Sequence, residues 1–217
     1  MLGVRVGKLA LTSVLVLLKL ERIVTYLQKS MTSAIAVEKK KLEKPPLALQ
    51  FLGARVLRQP AKRIAKVDQS IRNLVREMLQ TMYSENGIGL AAPQVGLNKQ
   101  LLVIDCEPDE PTTEPMVLIN PEIISYGQEL CKIEEGCLSV PGVYLDVIRP
   151  EAITVAFKDE NGRPQKISAS GLLSRCIQHE MDHLNGVMFV DRVDNGLALT
   201  EALKKQGFSL HTVKPIH

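Results

Sequence analysis

The chain has 217 residues, enough for one domain with a substantial hydrophobic core but few for two. Its composition is ordinary for a globular protein, apart from the lack of tryptophan. A formal net charge of +3 is too small to indicate a nucleic-acid-binding protein, and no basic stripe is interleaved with aromatic residues. DNA is therefore not an expected partner.

The first thirty residues differ in composition from the rest of the chain. Their apolar run LALTSVLVLLKL is too short to span a membrane, and no small-residue cleavage site follows it as a secretory signal would require. The segment is basic with almost no acid, so it is either an organellar transit peptide or sequence upstream of a true start at Met31, which we favour. The charged run VEKKKLEKPP then predicts a solvated linker. We expect residues 1–46 to form an extension and residues 47–217 a single domain.

The first predicted helix runs from Asp68, which suits an N-cap, to about Ser84. Its apolar residues recur at helical spacing, and Asn86 and Gly87 end it. We assign to the core Ile71, Leu74, Val75, Met78, Leu79 and Met82.

The segment NGIGLAAPQVG (86–96) follows that helix. Its glycines and alanines allow close backbone approach, and Gln94 is its one polar residue prone to burial. No strand precedes the segment as a dinucleotide-binding fingerprint would require, and no phosphate-binding lysine follows. Taken alone, it predicts a glycine-rich turn whose glutamine bonds to the backbone.

The middle of the chain is rich in short β-prone runs, at 101–105, 116–120, 122–127 and 143–148. AITVAFKD and RPQKISA flank the turn-forming residues 159–162, which predicts a hairpin. Helices are predicted from about Ser170 to Leu184 and over LALTEALKKQ. Because the strands lie between an early and a late helix without regular alternation, we predict an α+β fold with largely antiparallel sheets.

The late helix contains QHEMDHLNG (178–186), which includes a His-Glu-x-x-His motif. His179 and His183 are one helical turn apart on the same face, and Glu180 is close enough to reach a water on a shared metal. A catalytic site also needs a third protein ligand and an open position for water.

The residues alone leave the third ligand open. Glu201 lies downstream, as in common zinc proteases, but a glutamate four residues before Lys205 fits a solvated helix face equally well. Upstream, KIEEGCLSVPG places Cys137 between a β-prone run and a turn, where its thiolate would complete a Cys/His/His set. Adding Cys131 would make a closed structural site, although the cysteine spacing is wider than usual.

The remaining candidate ligands have simpler interpretations. Cys176 lies three residues before His179, on the same helix face, and is assigned to packing. His211 and His217 lie in a polar tail that we expect to fray. The four scattered cysteines do not resemble the disulfide framework of a secreted domain, so we expect reduced thiols in the cytoplasm, with an organelle stroma or matrix as the alternative. Imidazole and thiolate suit zinc, iron, cobalt or nickel.

Three stretches of the sequence, taken together, are typical of one protein family. GIGLAAPQ (87–94), EGCLS (135–139) and QHEMDH (178–183), in this order and at these separations, resemble the three signature motifs of peptide deformylase. The resemblance covers about residues 47–193, and GARVLRQPA (53–61) is similar to the family's N-terminal segment. It implies an α+β fold in which antiparallel sheets surround a central metal-binding helix.

The resemblance also implies an activity. Members of this family are metal-dependent hydrolases that remove the N-formyl group from the N-terminal methionine of newly synthesised polypeptides and release formate. The implied ligands of one Fe(II) per chain are Cys137, His179 and His183, with nickel, cobalt or zinc as substitutes.

The same resemblance assigns the catalytic roles. Glu180 would act as general base and acid, while the side chain of Gln94 and the backbone N–H of Leu138 would hold the oxyanion.

Substrate recognition is expected to use generic backbone contacts. A nascent chain varies in sequence after its methionine, so its main chain should bind by strand addition. The resemblance assigns one side of the groove to the backbone of Ile88, Gly89 and Leu90. The methionine pocket would be lined by Ile88, Ile133, Leu172 and Cys176.

The two ends depart from the family pattern. The C-terminal segment KKQGFSLHTVKPIH lacks a long basic helix, so ribosome docking through such a helix is not implied. Basic residues between positions 39 and 66 leave room for transient ribosome contact. We expect a monomer with no membrane partner.

Overall fold

The structure is a computed structural model that describes residue 35 and residues 37–216. The predicted transit peptide, the alternative start at Met31 and the terminal His217 lie outside the described residues. The elements, in chain order, are α1 (Gln69–Ser84), β1 (Gly89–Ala91), β2 (Leu101–Ile104), β3 (Met116–Tyr126), β4 (Leu130–Cys137), β5 (Val140–Pro150), β6 (Ala152–Lys158), β7 (Pro164–Ser170), α2 (Gly171–Leu184) and α3 (Gly196–Lys205).

The strands form two antiparallel sheets. One sheet has five strands in the order β1-β2-β3-β6-β7, and the other is the β4-β5 pair. Every pairing between these strands is antiparallel, which confirms the predicted α+β class. β1 forms an edge of the five-stranded sheet, with β2 as its neighbour. Among the described helices, none combines the length and apolar character that a membrane span requires.

Helix α1 covers one face of the large sheet. It begins after Asp68, whose carboxylate accepts hydrogen bonds from the backbone N–H groups of Ser70 and Ile71 at 2.9 and 3.2 Å. Such a cap contributes about 1 kcal/mol to helix stability. The predicted apolar stripe is buried against Leu90 and Leu101, in agreement with the sequence pattern.

Helix α2 is the central element. It contacts β1, β2, β6 and β7 of the large sheet and β5 of the small one. It ends at Leu184, and Gly186 follows in a left-handed conformation with φ of 74°. A β-carbon at Gly186 would lie 2.9 Å from the backbone of Arg58, so only glycine fits here. The helix therefore places its polar residues between the two sheets.

One part of the strand prediction was wrong. The runs 116–120 and 122–127 form a single strand, β3, whose pairing with β6 shifts between Ile119 and Glu122. At this point Asn120 has a φ of 52°, and its amide bonds to the backbone O and N–H of Ile64 at 2.8 and 2.7 Å. The Asn120 side chain thus bonds to the backbone of Ile64 at the point where the register of β3 shifts. Sequence reasoning took this shift for the end of a strand.

Residues 37–46, here called the N-terminal strap, contact the domain where the sequence predicted a solvated linker. Lys39 Nζ lies 2.7 Å from the buried carboxylate of Asp105. The backbone N–H of Leu42 donates to Ser84 Oγ at 3.1 Å, and Gln80 Nε2 donates to the backbone O of Lys40 at 2.8 Å. The compact unit accordingly begins at residue 35, before the predicted domain start at position 47.

The C-terminal segment is also bound to the domain. The backbone N–H groups of Lys214 and Ile216 donate to Asp191, at 2.7 Å to Oδ1 and 3.0 Å to the main-chain O. Asp191 forms an ion pair with Arg58, which also donates to the backbone O of Thr212. The segment around His211 is therefore attached, although His211 itself is exposed.

Candidate metal centre and active site

The side chains of the two histidines of the His-Glu-x-x-His motif converge on one position, here called the centre. Helical spacing places the rings of His179 and His183 with centroids 5.1 Å apart and planes at 77°. His179 is also stacked on Phe189, with a centroid separation of 5.9 Å. Packing against Phe189 thus constrains the ring of His179.

The side chain of Cys137, the last residue of β4, lies at the same centre. The register of its pairing with β5 shifts between Gly136 and Cys137. Its Sγ lies 3.3 Å from His183 Nε2 and accepts a hydrogen bond from the backbone N–H of Ser139 at 3.4 Å. The ligand atoms of Cys137, His179 and His183 all lie within 4.8 Å of one another.

This donor set fits a divalent metal. His179 Nδ1 lies 2.9 Å from Glu135 Oε2, which leaves Nε2 free to face the centre, the usual arrangement of a metal-binding imidazole. Burial lowers the pKa of His179, but hydrogen bonds with Cys137 and Glu135 raise it well above the usual value, so the position attracts positive charge. Burial lowers the pKa of His183 and keeps its imidazole neutral, as ligation requires.

A buried charge network holds Glu135 in place. Arg149 donates to both carboxylate oxygens at 2.6 and 2.9 Å, and Arg175 donates to Oε1 at 3.0 Å. Burial alone would raise the pKa of Glu135, but Arg149 and His179 hold it well below its usual range. Arg149 also pairs with Asp182 at 2.7 Å, one residue before His183. The network therefore orients the ligand helix from both β4 and β5.

Glu180 lies beside the ligands and is buried. Within the described part of the chain, its Oε2 has no hydrogen-bond partner. Burial raises the pKa of Glu180 to about 7, which suits a group that must take up and release a proton near neutrality. A β-carbon at Gly89 would lie 2.5 Å from Glu180 Oε1, so the glycine makes room for the carboxylate.

Gln94 presents its amide nitrogen to the centre. Its Oε1 accepts a hydrogen bond from the backbone N–H of Ala91 at 2.7 Å, which fixes the orientation of the amide. Nε2 consequently points towards Cys137 Sγ at 3.5 Å and Ser139 Oγ at 3.3 Å. Leu138 lies between these two residues and packs over Gly87.

A cavity of about 980 Å³ opens onto these groups. Its walls come from the strap and the residues that follow it (44–49), from the start of β1 (87–89), from the end of β4 (134–138) and from α2. The α2 residues in the wall are Leu172, Arg175, Cys176, His179 and Glu180. The volume is large enough to take several residues of a peptide.

Comparison with known proteins identifies the family. The family model described as polypeptide deformylase matches residues 47–197, more than half of the chain. The chain belongs to the peptide deformylase family. Its relatives include peptide deformylase 1 of a Nostoc species and the peptide deformylase of a Synechocystis species, each 68% identical over 186 residues, 86% of this chain and all of the relative.

Solved peptide deformylases share the fold. The enzyme of Synechococcus elongatus, solved in complex with actinonin, is 63% identical with a TM-score of 0.84, over 85% of this chain and all of that one. The enzyme of Thermotoga maritima is 36% identical with a TM-score of 0.65, over 68% of this chain and 97% of that one. Peptide deformylases are metal-dependent enzymes, and the Cys/His/His cluster of this chain is a candidate metal site.

The deformylase structure brings most of the predicted site residues to one cavity. Those that line it are Ile88, Gly89, Gln94, Cys137, Leu138, Leu172, Cys176, His179 and Glu180. Leu90 belongs to the edge strand β1, but its side chain is buried in the core. Ile133 is 40% exposed on β4 and is not among the residues that line the cavity.

The alternative ligands lie elsewhere in this deformylase. Glu201 is exposed on α3. Cys131 pairs with Arg149 near the other end of β4 from Cys137, and its backbone O accepts a hydrogen bond from Arg175. Neither residue belongs to the cluster of Cys137 and the two histidines.

Sequence reasoning missed three contributors to the deformylase site. Glu135 orients His179, Ser139 contacts both Gln94 and Cys137, and residues 44–49 form a wall of the cavity. The expectation that a metal-bound histidine has a carboxylate partner could have directed attention to an acidic residue, but nothing local selects Glu135. The strap carries no motif that marks it as part of a site.

Proposed function

We propose that this peptide deformylase binds one Fe(II) through Cys137, His179 and His183 and hydrolyses the formyl amide with Glu180 as general base and acid. The reaction of the family is the removal of the N-formyl group from the N-terminal methionine of newly synthesised polypeptides. The observation that carries the proposal is the approach of three ligand atoms within 4.8 Å beside a buried carboxylate.

The metal would be held by one thiolate and two neutral imidazoles. Iron, nickel, cobalt and zinc all suit this set, and the family resemblance favours Fe(II) with the others as substitutes. When bound, such a cation acts as a Lewis acid that activates water near neutral pH. Glu135 would keep the Nδ1 proton of His179 in place, so that Nε2 always faces the centre.

Glu180 would move the proton. Its carboxylate takes a proton from the attacking water and passes it to the nitrogen of the departing methionine, whose bond to the formyl carbon breaks. A pKa of about 7, raised by burial, allows both steps near neutral pH. General acid–base catalysis of this kind typically contributes ~10²- to 10⁴-fold to the rate.

Gln94 and Leu138 would stabilise the oxyanion. Attack on the formyl carbon places negative charge on its oxygen, and Gln94 Nε2 is oriented towards the centre by the bond between Ala91 N–H and Gln94 Oε1. The backbone N–H of Leu138, next to Cys137, is the second donor. Each pre-aimed donor contributes about 3 kcal/mol by analogy with other oxyanion holes.

The substrate backbone would add to the edge strand β1. The main chain of Ile88, Gly89 and Leu90 would pair with the peptide after its methionine, and the apolar side chains of Leu172 and Cys176 would face the methionine. Main-chain pairing makes no demand on side-chain identity, which suits an enzyme that acts on many nascent chains.

The proposed setting follows from the substrate. Formylmethionyl chains emerge from ribosomes, so we propose transient ribosome contact by a monomer in the cytoplasm, or in an organelle stroma or matrix if residues 1–30 are a transit peptide.

The test of the proposed function is formate release from an N-formylmethionyl tripeptide and its N-acetyl counterpart. Anaerobically prepared Fe(II) protein should release formate rapidly and spare the acetyl peptide. Cys137→Ser should lose both metal content and activity, whereas Cys131→Ser, outside the cluster, should keep both. Absence of formate from a fully metallated protein would refute the proposal, and loss of metal from Cys131→Ser would indicate a structural four-ligand site instead.

A further inference from the structure

The N-terminal strap is anchored to the domain by a buried charge. Lys39 Nζ lies 2.7 Å from the carboxylate of Asp105 and donates to the backbone O of Glu110 and to Thr113 Oγ1, each at 2.8 Å. The side chains of Lys39 and Asp105 are 12% and 2% exposed. A buried ion pair resists separation, because the loss of either partner leaves an uncompensated charge. The strap is therefore a fixed part of the domain surface.

The anchor is connected to the proposed peptide groove through Asp105. The Asp105 carboxylate accepts a hydrogen bond from the hydroxyl of Tyr83 at 2.8 Å, and its backbone N–H donates to Ile88 O at 2.9 Å. Ile88 directly precedes strand β1 and belongs to the main chain that would pair with the substrate. The position of the strap is thus set relative to that groove.

The chain that follows the strap is held beside the metal centre. The backbone N–H of Gln50 donates to Gln94 O at 2.7 Å, and the backbone N–H of Leu52 donates to Ser139 O at 2.8 Å. Between the anchor and these bonds lie residues 44–49, all of which line the cavity. This wall is therefore fixed at both of its ends.

The part of the strap that lines the cavity is rigid and apolar. Pro45 and Pro46 are consecutive, and each ring fixes its own φ. Phe51 and Tyr144 line the same cavity and are 47% and 62% exposed. Exposed apolar side chains grouped around one cavity indicate contact with a ligand, and a wall that is already rigid loses little entropy on binding.

We propose that the N-terminal strap is part of the substrate-binding surface, and that Pro45 and Pro46 contact an apolar side chain of the nascent peptide beyond the residues paired with β1. This inference rests on the proposed function, because it assigns a further contact to the same peptide. The strap would add affinity for longer peptides and leave the chemistry at the metal centre unchanged. Lys39 is a positioning residue in this arrangement, since it holds the wall in place without lining the cavity.

Peptides of different length test the contact kinetically. N-formyl-Met-Ala amide ends before the proposed contact, whereas N-formyl-Met-Ala-Ser-Leu-Leu amide carries apolar side chains beyond the groove. The wild type should have a KM at least ~10-fold lower for the longer peptide, the effect of burying one apolar side chain. The double variant Pro45→Ser, Pro46→Ser should lose most of this advantage and keep its kcat and its KM for the shorter peptide.

Two further variants separate the anchor from the wall. Lys39→Met leaves the wall residues intact but removes the anchor, and it should lose the same advantage for the longer peptide. Lys41→Ala changes an exposed strap residue that does not line the cavity, and it should behave as the wild type. Circular dichroism checks that each variant is folded at the assay temperature.

Photo-crosslinking tests the contact without turnover. N-acetylmethionyl peptides of five residues, with p-benzoylphenylalanine at the third, fourth or fifth position, are irradiated with the nickel-loaded enzyme. We expect peptide mapping to place a cross-link from at least one of them within residues 44–51. The N-acetyl group is used because the proposed reaction spares it.

Either of two results would overturn the inference. One is an undiminished advantage for the longer peptide in the double variant, and the other is a set of cross-links confined to segments outside residues 44–51. An equal loss of activity on both peptides would also contradict it, because the strap would then act on the metal centre. Absence of formate from the shorter peptide with metallated wild type would refute the proposed function instead, and the cross-links would still report on the strap.

Discussion

The main chain at Gly89 passes so close to the carboxylate of Glu180 that a β-carbon on residue 89 would lie 2.5 Å from Oε1 and 3.0 Å from the carboxyl carbon. The edge strand β1 and helix α2 therefore meet at a point where no side chain fits. Glycine at position 89 serves two purposes here, because it leaves space for the carboxylate and keeps the strand edge close to it.

Gly89→Ala should disable catalysis without removing the metal. The added methyl group must displace the Glu180 carboxylate, and a displacement of about 1 Å in a catalytic group costs roughly 100-fold in rate. The rate is checked by measuring kcat/KM for formate release. The metal content is measured by atomic absorption. Gly196→Ala is the matched control, because a β-carbon there meets no atom within 4 Å and should leave the rate unchanged.

Glu180→Gln should keep the metal and lose turnover by ~10²- to 10⁴-fold. The amide has nearly the shape of the carboxylate but cannot accept the water proton. Equal metal content in the two proteins, together with single-turnover formate release, checks the prediction. A variant that retained most of its rate would remove Glu180 from the proton transfer.

Glu135→Gln should weaken metal binding by about 10- to 100-fold, because the charged partner of His179 Nδ1 and of Arg149 is lost. Chelator competition at constant pH measures the affinity, and thermal unfolding of the apo and metal-loaded forms separates this effect from lower stability. Glu134→Gln is the adjacent control, since Glu134 is exposed and should leave the affinity as it is. Equal losses in both variants would contradict the orienting role of Glu135.

Lys39→Ala should lower the free energy of unfolding by about 2 kcal/mol, the value typical of a hydrogen bond to a charged group. Lys39 approaches the buried carboxylate of Asp105 and donates to the backbone O of Glu110 at 2.8 Å. Urea denaturation measures the change. Lys40→Ala should have no measurable effect, because the Lys40–Glu38 pair is exposed to solvent. If both variants unfold alike, the strap does not stabilise the domain.

Local features of the fold were predictable from the sequence. The α1 boundaries follow from the Asp68 cap and a regular apolar stripe, and helical periodicity alone places His179 and His183 on one face. These features depend on residues a few positions apart, for which backbone geometry is fixed once the helix forms.

Contacts between distant residues were not predictable in this way. Cys137 and His183 are 46 positions apart, and Glu135 and His179 are 44 apart. Without the family resemblance, Glu201 and Cys131 remained open as ligands because nothing local excludes them. The single strand β3 was missed for a related reason, since the amide of Asn120 finds its partners at Ile64, 56 positions away.

The wall formed by residues 44–46 lies before position 47, where the segment matched by the family begins. The proposed metal ligands and Glu180 all lie inside that segment. Substitutions in this wall should therefore change what the outer part of the cavity binds and leave the proposed catalytic groups in place. An inhibitor confined to the proposed metal site should be insensitive to such substitutions, whereas one extended to contact Pro45 and Pro46 should detect them.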